Sequence, residues 1–227
     1  MMDPLAGSAW NRPETVAGFA QSSPNPVLMQ FAQDELCQTG ASHAIDLGCG
    51  AGRNAVPLAG LGWHVLGVDL SWPMLAAAAE RAHEAPRAAH LRLALAPMGA
   101  LPVRGHCVDL IVAHGIWNLA RSGAEFRLAV AEAARVAKPG AGLFVFTFSR
   151  HTLPPDAKPV EGEAFVFTQF SGQPQCFLTE DQLISELGAA AFTGDPGVPL
   201  RELNRPAPGM LPGSGPVIFE GGFRYRA

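Results

Sequence analysis

The chain has 227 residues, enough for one full domain with its own hydrophobic core. Apolar residues make up 48% and charged residues 16%, a balance that excludes a disordered chain. The formal net charge is −4 and the basic residues form no run, which argues against a surface for nucleic acid.

Membrane, secretory and metal-binding classes are also disfavoured. No apolar run approaches the ~20 residues of a membrane span, and the first residues lack the basic and apolar regions of a secretory signal. The cysteines form no C-x-x-C pair, so the sequence predicts neither a metal site nor a disulfide framework. We therefore expect a reduced, cytoplasmic protein without a membrane partner.

Residues 1–35 are irregular, polar and rich in proline, and a short helix is predicted over 26–36. Trp10 and Phe19 stand out in this polar stretch. Because nothing local explains an aromatic pair there, we predict that residues 1–35 form a helical lid over a ligand, with both rings facing inward.

From residue 43 onward, strand and helix patterns alternate. Strands are predicted at 43–46, 63–69, 90–95, 108–114, 143–148, 198–203 and 217–225. Helices are predicted at 53–59, 72–83, 123–136 and 180–187, three of them opened by the capping residues Ser71, Ser122 and Thr179. This alternation predicts an α/β fold, a doubly wound and mostly parallel sheet with helices on both faces.

The stretch 151–178 does not follow the alternation. It contains the run FVFTQF at 165–170, which has the pattern of an extra strand. Inserts of this kind often shape a substrate pocket. We therefore predict a single domain over 36–227 with a substrate-shaping insert at 151–178.

The strongest motif is Ile45-Asp46-Leu47-Gly48-Cys49-Gly50-Ala51-Gly52. A glycine loop between a strand and a helix presents unpaired N–H groups and admits close approach of a ligand. Such a loop after the first strand typically binds a nucleotide-like cofactor at the carboxyl edge of the sheet. The alternative is a tight turn without a ligand, which three alternating glycines after an acid disfavour.

The spacing of the loop distinguishes between cofactors. A dinucleotide fingerprint requires a third glycine at position 53, where this chain has arginine. A pyrophosphate would also be repelled by Asp46, whereas an ammonium group would be attracted. S-adenosylmethionine carries that ammonium and an adenosine, and it has no phosphate.

Several blocks in a fixed order carry a family resemblance: 44–59, 62–75, 96–103, 108–119 and 137–149. Over about residues 40–150 the chain resembles the class I S-adenosylmethionine-dependent methyltransferases. This resemblance implies a seven-stranded, Rossmann-like sheet and S-adenosylmethionine as cofactor. The run around Gly52-Arg53-Asn54 is similar to the branch of tellurite and thiol methyltransferases.

The resemblance also implies roles for individual residues. Asp69, at the end of the second strand, would accept from both ribose hydroxyls, and Leu70 would pack on the adenine. The family often has an acid where this chain has Pro97. Backbone groups near Met98 would therefore have to form the hydrogen bonds to the adenine amine. The other residues expected at the cofactor are Asp46, Gly48, Cys49, Gly50, Asn54 and His114.

Candidates for catalysis and substrate contact follow the fourth and fifth strands. His114 is the preferred general base because it ends a strand at the expected site, and His151 is a weaker candidate. A structural, hydrogen-bonded histidine is the alternative for His114. Trp10, Phe19, Trp117 and Asn118 are candidates for the substrate pocket, although large aromatic residues more commonly fill a core.

These patterns predict an enzyme that transfers a methyl group from S-adenosylmethionine to an oxygen or nitrogen of a small molecule. A soft acceptor such as a thiol, selenium or tellurium is the alternative. An NAD-dependent oxidoreductase and a non-catalytic cofactor-binding protein are weaker alternatives. The expected partner is a small-molecule substrate, with the protein a monomer or a homodimer and no nucleic acid bound.

Overall fold

The computed structural model describes residues 4–40, 42–85, 88–206 and 215–226. Six α-helices lie within these ranges: α1 (Pro13–Gln21), α2 (Pro26–Thr39), α3 (Ala55–Leu61), α4 (Trp72–His83), α5 (Gly123–Val136) and α6 (Glu180–Ala189). Ten strands lie within the same ranges: β1 (His43–Leu47), β2 (His64–Asp69), β3 (Leu91–Leu95), β4 (Val108–His114), β5 (Ala137–Phe148), β6 (Val166–Phe167), β7 (Gln175–Cys176), β8 (Phe192–Gly194), β9 (Arg201–Leu203) and β10 (Ile218–Tyr225).

The central sheet has the order β3-β2-β1-β4-β5-β10-β8, and β9 also pairs with β10. The strands from β3 to β5 are parallel, and β10 runs antiparallel to each of its neighbours. The predicted doubly wound, Rossmann-like fold is confirmed. The sheet has eight strands in the described residues instead of seven, because the three-residue β9 adds to one end of β10.

Most predicted boundaries agree with the structure to within two residues. Ser71 and Ser122 cap α4 and α5, and Thr179 opens α6 in a complete capping box. No bounds were predicted for α1, whose start at Pro13 uses the pre-set φ of proline. The run at 165–170 contributes only the two residues of β6, which pair with β7 outside the main sheet.

Apolar side chains pack on both faces of the sheet. One cluster joins the sheet to α5 and α6, with Trp117 and Phe126 among its buried rings. The other joins the opposite face to α2, α3 and α4, with Trp63 at its centre. Of the helices described, none combines the length and the apolar character needed to cross a membrane.

A buried ion-pair cluster fastens α2 to the antiparallel end of the sheet. Arg224 of β10 donates hydrogen bonds to Glu35 of α2 and to Asp195, which follows β8. The side chains are 19%, 5% and 8% exposed, respectively. Removing the arginine would leave two buried carboxylates without this partner.

We predict that Arg224→Ala lowers the free energy of unfolding by about 3–5 kcal/mol, the usual cost of breaking a buried ion pair. Arg127→Ala is the matched control, because its pair with Glu186 has an arginine side chain that is 58% exposed. That control should cost less than ~1 kcal/mol. Urea unfolding of the three proteins measures both values, and equal losses would contradict the prediction.

Candidate cofactor and active site

The glycine loop leaves β1 at Leu47 and turns through three residues with positive φ: Gly48 (62°), Gly50 (52°) and Gly52 (74°). A Cβ atom on Gly48 would lie 2.5 Å from the side chain of Ile116. A Cβ atom on Gly50 would instead meet only Phe19, at 3.8 Å, and Met74, at 3.9 Å. Gly48 therefore permits close packing, whereas Gly50 borders the space beneath the N-terminal segment.

Asp69 joins the end of β2 to this loop. Its Oδ2 accepts a hydrogen bond from the N–H of Gly50 (2.8 Å), and its Oδ1 accepts one from the N–H of Ser71 (2.8 Å). Ser71 also caps α4 and donates its hydroxyl to Asn11 (2.6 Å). The backbone thus holds the carboxylate in one orientation beside the glycine loop.

Asp46 is a buried acid, 2% exposed, one residue before the end of β1. Burial raises the pKa of this carboxyl to about 7, although the nearby charge of Arg53 counteracts part of the rise. The charge of Asp69 raises the pKa further, and a hydrogen bond from the N–H of Ala55 lowers it. Asp46 therefore titrates near neutral pH.

Arg53 and His114 form a second polar contact at the same edge. The guanidinium donates to Nδ1 of His114 (2.7 Å), and the imidazole stacks on Phe146 with ring centroids 4.1 Å apart. Burial and the charge of Arg53 lower the pKa of His114 to about 3. A neutral imidazole has one acceptor nitrogen, so this contact uses the lone pair that a general base would need.

The N-terminal segment lies across the loop and is hydrogen-bonded to the start of α3 and to α4. Oδ1 of Asn54 accepts from the N–H of Asn25 (3.1 Å). Arg81 of α4 donates to the carbonyls of Ala20 and Ser22. Trp10 contacts Phe19 edge to face, with centroids 6.0 Å apart.

The remaining sequence candidates fall into two environments. Leu70 is half-buried and Pro97 is exposed, and the N–H of Ala96 donates to the carbonyl of Asp69, so this turn lies beside the acid. Met98 is half-buried and Cys49 is buried. Trp117 and Asn118 are buried in the core below the edge, where Trp117 packs on Phe126.

His151 lies in a separate polar cluster just beyond β5. Its Nδ1 is 2.6 Å from Oε1 of Glu202, and Ser149 also donates its hydroxyl to Glu202. Glu202, like Arg53, did not emerge from the sequence as a site residue. Ser149 and His151 directly after a strand could have indicated a polar cluster from the sequence. Glu202 lies 51 residues from His151, in β9, so no local sequence pattern connects the two.

A groove of about 650 Å³ lies at the opposite, amino edge of the sheet. It is lined by the stacked rings of His43 and His64, by His90, whose ring is tilted against His64, and by Arg104 and Lys138. None of the predicted cofactor residues reaches this edge, so we do not assign the groove to the cofactor.

Comparison with known proteins identifies similarity in the middle of the chain. Residues 45–146 match the family described as a methyltransferase domain. Over this segment the chain is similar to S-adenosylmethionine-dependent methyltransferases. The matched methyltransferase domain includes the glycine loop, Asp69 and His114, and it ends before Ser149.

Two curated relatives match about half of the chain. The chain is 35% identical over 123 residues to a ubiquinone/menaquinone biosynthesis C-methyltransferase of Syntrophotalea carbinolica, covering 53% of this chain and 49% of the relative. A similar enzyme of Acidiphilium cryptum is 37% identical over 108 residues, covering 47% and 42%. The chain thus spans about half the length of the curated relatives it matches.

Among solved structures, the 1,6-didemethyltoxoflavin-N1-methyltransferase of Burkholderia thailandensis, bound to 1,6-didemethyltoxoflavin and S-adenosylhomocysteine, has a TM-score of 0.62. It is 18% identical, with 88% of this chain and 78% of that chain covered. The CcbJ methyltransferase of Streptomyces caelestis has a TM-score of 0.65 at 19% identity, covering 90% and 91%. At this level of identity the likeness shows the shared fold.

The raised pKa of Asp46 generates a pH-dependent prediction for stability. The unfolded chain has an ordinary aspartate pKa near ~3.9, so the folded state binds more protons between that pH and about 7. Stability from this group is therefore lost as the pH rises through 7. We predict that Asp46→Asn raises the melting temperature at pH 8 and that the gain shrinks at pH 5.

Asp109→Asn is the matched control for this measurement. Burial alone would raise the pKa of Asp109, but hydrogen bonds from Lys138 and from the backbone of His43 and Ser42 outweigh it and lower the pKa. This variant should therefore melt at a lower temperature than the parent at pH 8, the opposite sign. Thermal unfolding at both pH values tests the pair, and a pH-independent effect of Asp46→Asn would contradict the assignment.

Proposed function

We propose that this protein transfers a methyl group from S-adenosylmethionine to an oxygen or nitrogen of a small molecule. The observation that carries the proposal is the Asp69 carboxylate, fixed by the N–H of Gly50 beside a glycine loop. Both residues lie within the segment that matches a methyltransferase domain. A carboxylate in that place is suited to a pair of ribose hydroxyls, which donate charge-assisted hydrogen bonds.

The charges around the loop suit the zwitterionic tail of this donor. Asp46 would attract the ammonium group from beneath the loop. Arg53 would attract the carboxylate, because no acid lies within ion-pair distance of its guanidinium in the described residues. Leu70 and the backbone near Met98 would border the adenine.

The donor supplies an activated methyl group and leaves as a neutral thioether, so no acid is needed at the leaving group. The chain must therefore bind the donor, orient the acceptor and exclude water. Orientation alone can contribute ~7–11 kcal/mol to lowering a barrier. We assign water exclusion to the N-terminal segment, whose Phe19 lies over Gly50 and whose Trp10 packs on Phe19.

Two other kinds of acceptor remain candidates. The curated relatives are named C-methyltransferases, which favours an acidic carbon on a small molecule as a second candidate. The Gly52-Arg53-Asn54 run favours a soft acceptor such as a thiol or tellurite. A panel of hydroxy-aromatics, amines, quinols, thiols and tellurite, each supplied with S-adenosylmethionine, distinguishes these classes by the acceptor that is methylated.

Donor binding tests the proposal directly. We expect S-adenosylmethionine and S-adenosylhomocysteine to bind in calorimetry and NAD to bind weakly or not at all. Asp69→Ala should weaken binding of both by tenfold or more, because the two hydroxyl contacts are lost (~1.4 kcal/mol per factor of ten). Asp109→Asn, at the other edge of the sheet, should leave the affinity unchanged. Unaltered affinity of the Asp69 variant would overturn the proposal.

The lid assignment makes a kinetic prediction. Arg81 fastens the N-terminal segment through the carbonyls of Ala20 and Ser22 and contributes nothing to the glycine loop itself. Arg81→Ala should therefore accelerate release of bound S-adenosylhomocysteine several-fold, as measured by stopped-flow fluorescence of the tryptophans. Arg92→Ala, which loses comparable bonds to the carbonyls of Ala89 and Leu91, is the control. Equal release rates would refute the lid.

A further inference from the structure

We propose that His151, held by Glu202, is the general base that removes the proton of the methyl acceptor, and that Ser149 is a positioning residue for this pair. This inference rests on the proposed function and adds to it a proton acceptor at a defined atom, Nε2 of His151. It also implies a class of acceptor: one whose attacking atom carries a proton that must be lost.

The geometry fixes which nitrogen of His151 is available. Nδ1 lies 2.6 Å from Oε1 of Glu202, and a carboxylate can only accept, so Nδ1 carries the hydrogen. In a neutral imidazole the lone pair then resides on Nε2. The side chain of His151 is 45% exposed while that of Glu202 is 14% exposed, so the buried acid orients a reactive atom that remains accessible.

Ser149 forms hydrogen bonds to both the acid and the histidine. Its side chain is buried, its hydroxyl donates to the same Oε1 of Glu202, and its Oγ accepts from the N–H of His151 (3.1 Å). A short helical turn at Arg150–Thr152 places the histidine above the serine. The two residues are thus fixed to one carboxylate oxygen by the local fold after β5.

The charges around the pair keep the acid ionised. Burial alone would raise the pKa of Glu202, but the hydrogen bonds from Ser149 and His151 and the charges of His151 and Arg205 outweigh it and lower the pKa. Arg205 pairs with the second carboxylate oxygen (3.1 Å). Arg150 precedes His151, but its guanidinium donates to backbone carbonyls between residues 153 and 157. An ionised Glu202 stabilises the imidazolium that forms when His151 takes a proton.

The pair lies at the carboxyl edge of the sheet, on the side where the glycine loop lies. β4 and β5 are parallel neighbours with His114 opposite Phe146, and Ser149 comes three residues further on. β5 is two strands from β1, a lateral separation of ~10 Å at the usual strand spacing. A small molecule bound between the loop and His151 spans a distance of that order.

Aromatic rings border this part of the edge. Phe148 lies between Ser149 and the stacked pair of His114 and Phe146, and it contacts Phe170 and Phe177 of the insert at centroid distances of 5.3 Å each. The ring of Phe170 is 47% exposed. This surface favours an acceptor with an aromatic or other flat apolar body, with its reactive group directed to His151.

The proposed step balances in atoms and charge. The lone pair of the acceptor oxygen or nitrogen forms a bond to the methyl carbon, and the bond from that carbon to sulfur breaks with its electron pair left on sulfur. The acceptor's proton passes to Nε2 of His151. The resulting imidazolium returns the proton to water through its exposed side.

The kinetic test compares His151→Gln and Glu202→Gln with the parent, using the fastest acceptor from the panel above. General-base loss should lower kcat by ~10²–10⁴-fold, and Glu202→Gln should lower it by a smaller factor. The parent should lose kcat/KM as the pH falls, and His151→Gln should lack this acidic limb. S-adenosylhomocysteine affinity should not change in either variant, and His43→Gln at the opposite edge is the matched control.

A second readout does not depend on turnover. Nitrogen-15 NMR of the imidazoles should show His151 protonated on Nδ1, and Glu202→Gln or Ser149→Ala should weaken that preference. The opposite tautomer in the parent, or unchanged kcat in His151→Gln, would overturn the base while leaving the proposed function intact. Absence of donor binding in the parent would instead overturn the proposed function. Thermal unfolding confirms that each variant is folded.

Discussion

The hydrogen bond between the N–H of Gly50 and the carboxylate of Asp69 (2.8 Å) is the contact on which the site depends. It exists because β1 and β2 are parallel neighbours whose carboxyl ends meet at one edge, and because Gly50 adopts a positive φ that turns its N–H toward β2. The same carboxylate accepts from Ser71, which caps α4 and binds Asn11. One acid thus connects the glycine loop, the helix after β2 and the N-terminal segment, so the site is organised before a ligand arrives.

Near this contact, two ionisable side chains have pKa values far from those they have in water. Burial raises the pKa of Asp46 to about 7, while burial and Arg53 lower the pKa of His114 to about 3. Arg53 interacts with both groups: its charge attracts Asp46, and its guanidinium donates a hydrogen bond to His114. Such opposed shifts are common at functional sites. They leave a half-buried cation and an acid that titrates near pH 7 at the edge of the loop, an arrangement that a zwitterionic ligand would complement.

The sequence predicts this half of the molecule well because its signals are local. Gly48, Gly50 and Gly52 encode the turn, and the alternation of patterns encodes the parallel order. Ser71 and Thr179 mark helix starts through their own side chains. The contacts that the sequence could not reveal are long-range: Glu202 reaches His151 across 51 positions, and Arg53 reaches His114 across 61. The helix α1 was not predicted because it is short: its half-buried Val16 and Phe19 lie one turn apart in a segment of nine residues.

The residues that we propose for donor binding and those that we propose for acceptor choice occupy different parts of the chain. The family match covers residues 45–146, which include every residue that we assign to the donor except the lid. The proposed base, its acid and the predicted insert all follow residue 146, and the proposed lid precedes residue 45. The proteins to which this chain is similar in sequence or in fold are named for different acceptors. The donor residues and the acceptor residues that we propose thus lie in different segments of the chain. In this chain, exchanging the flanks should therefore change the acceptor, whereas changes to Asp69 should affect the donor whatever the acceptor is.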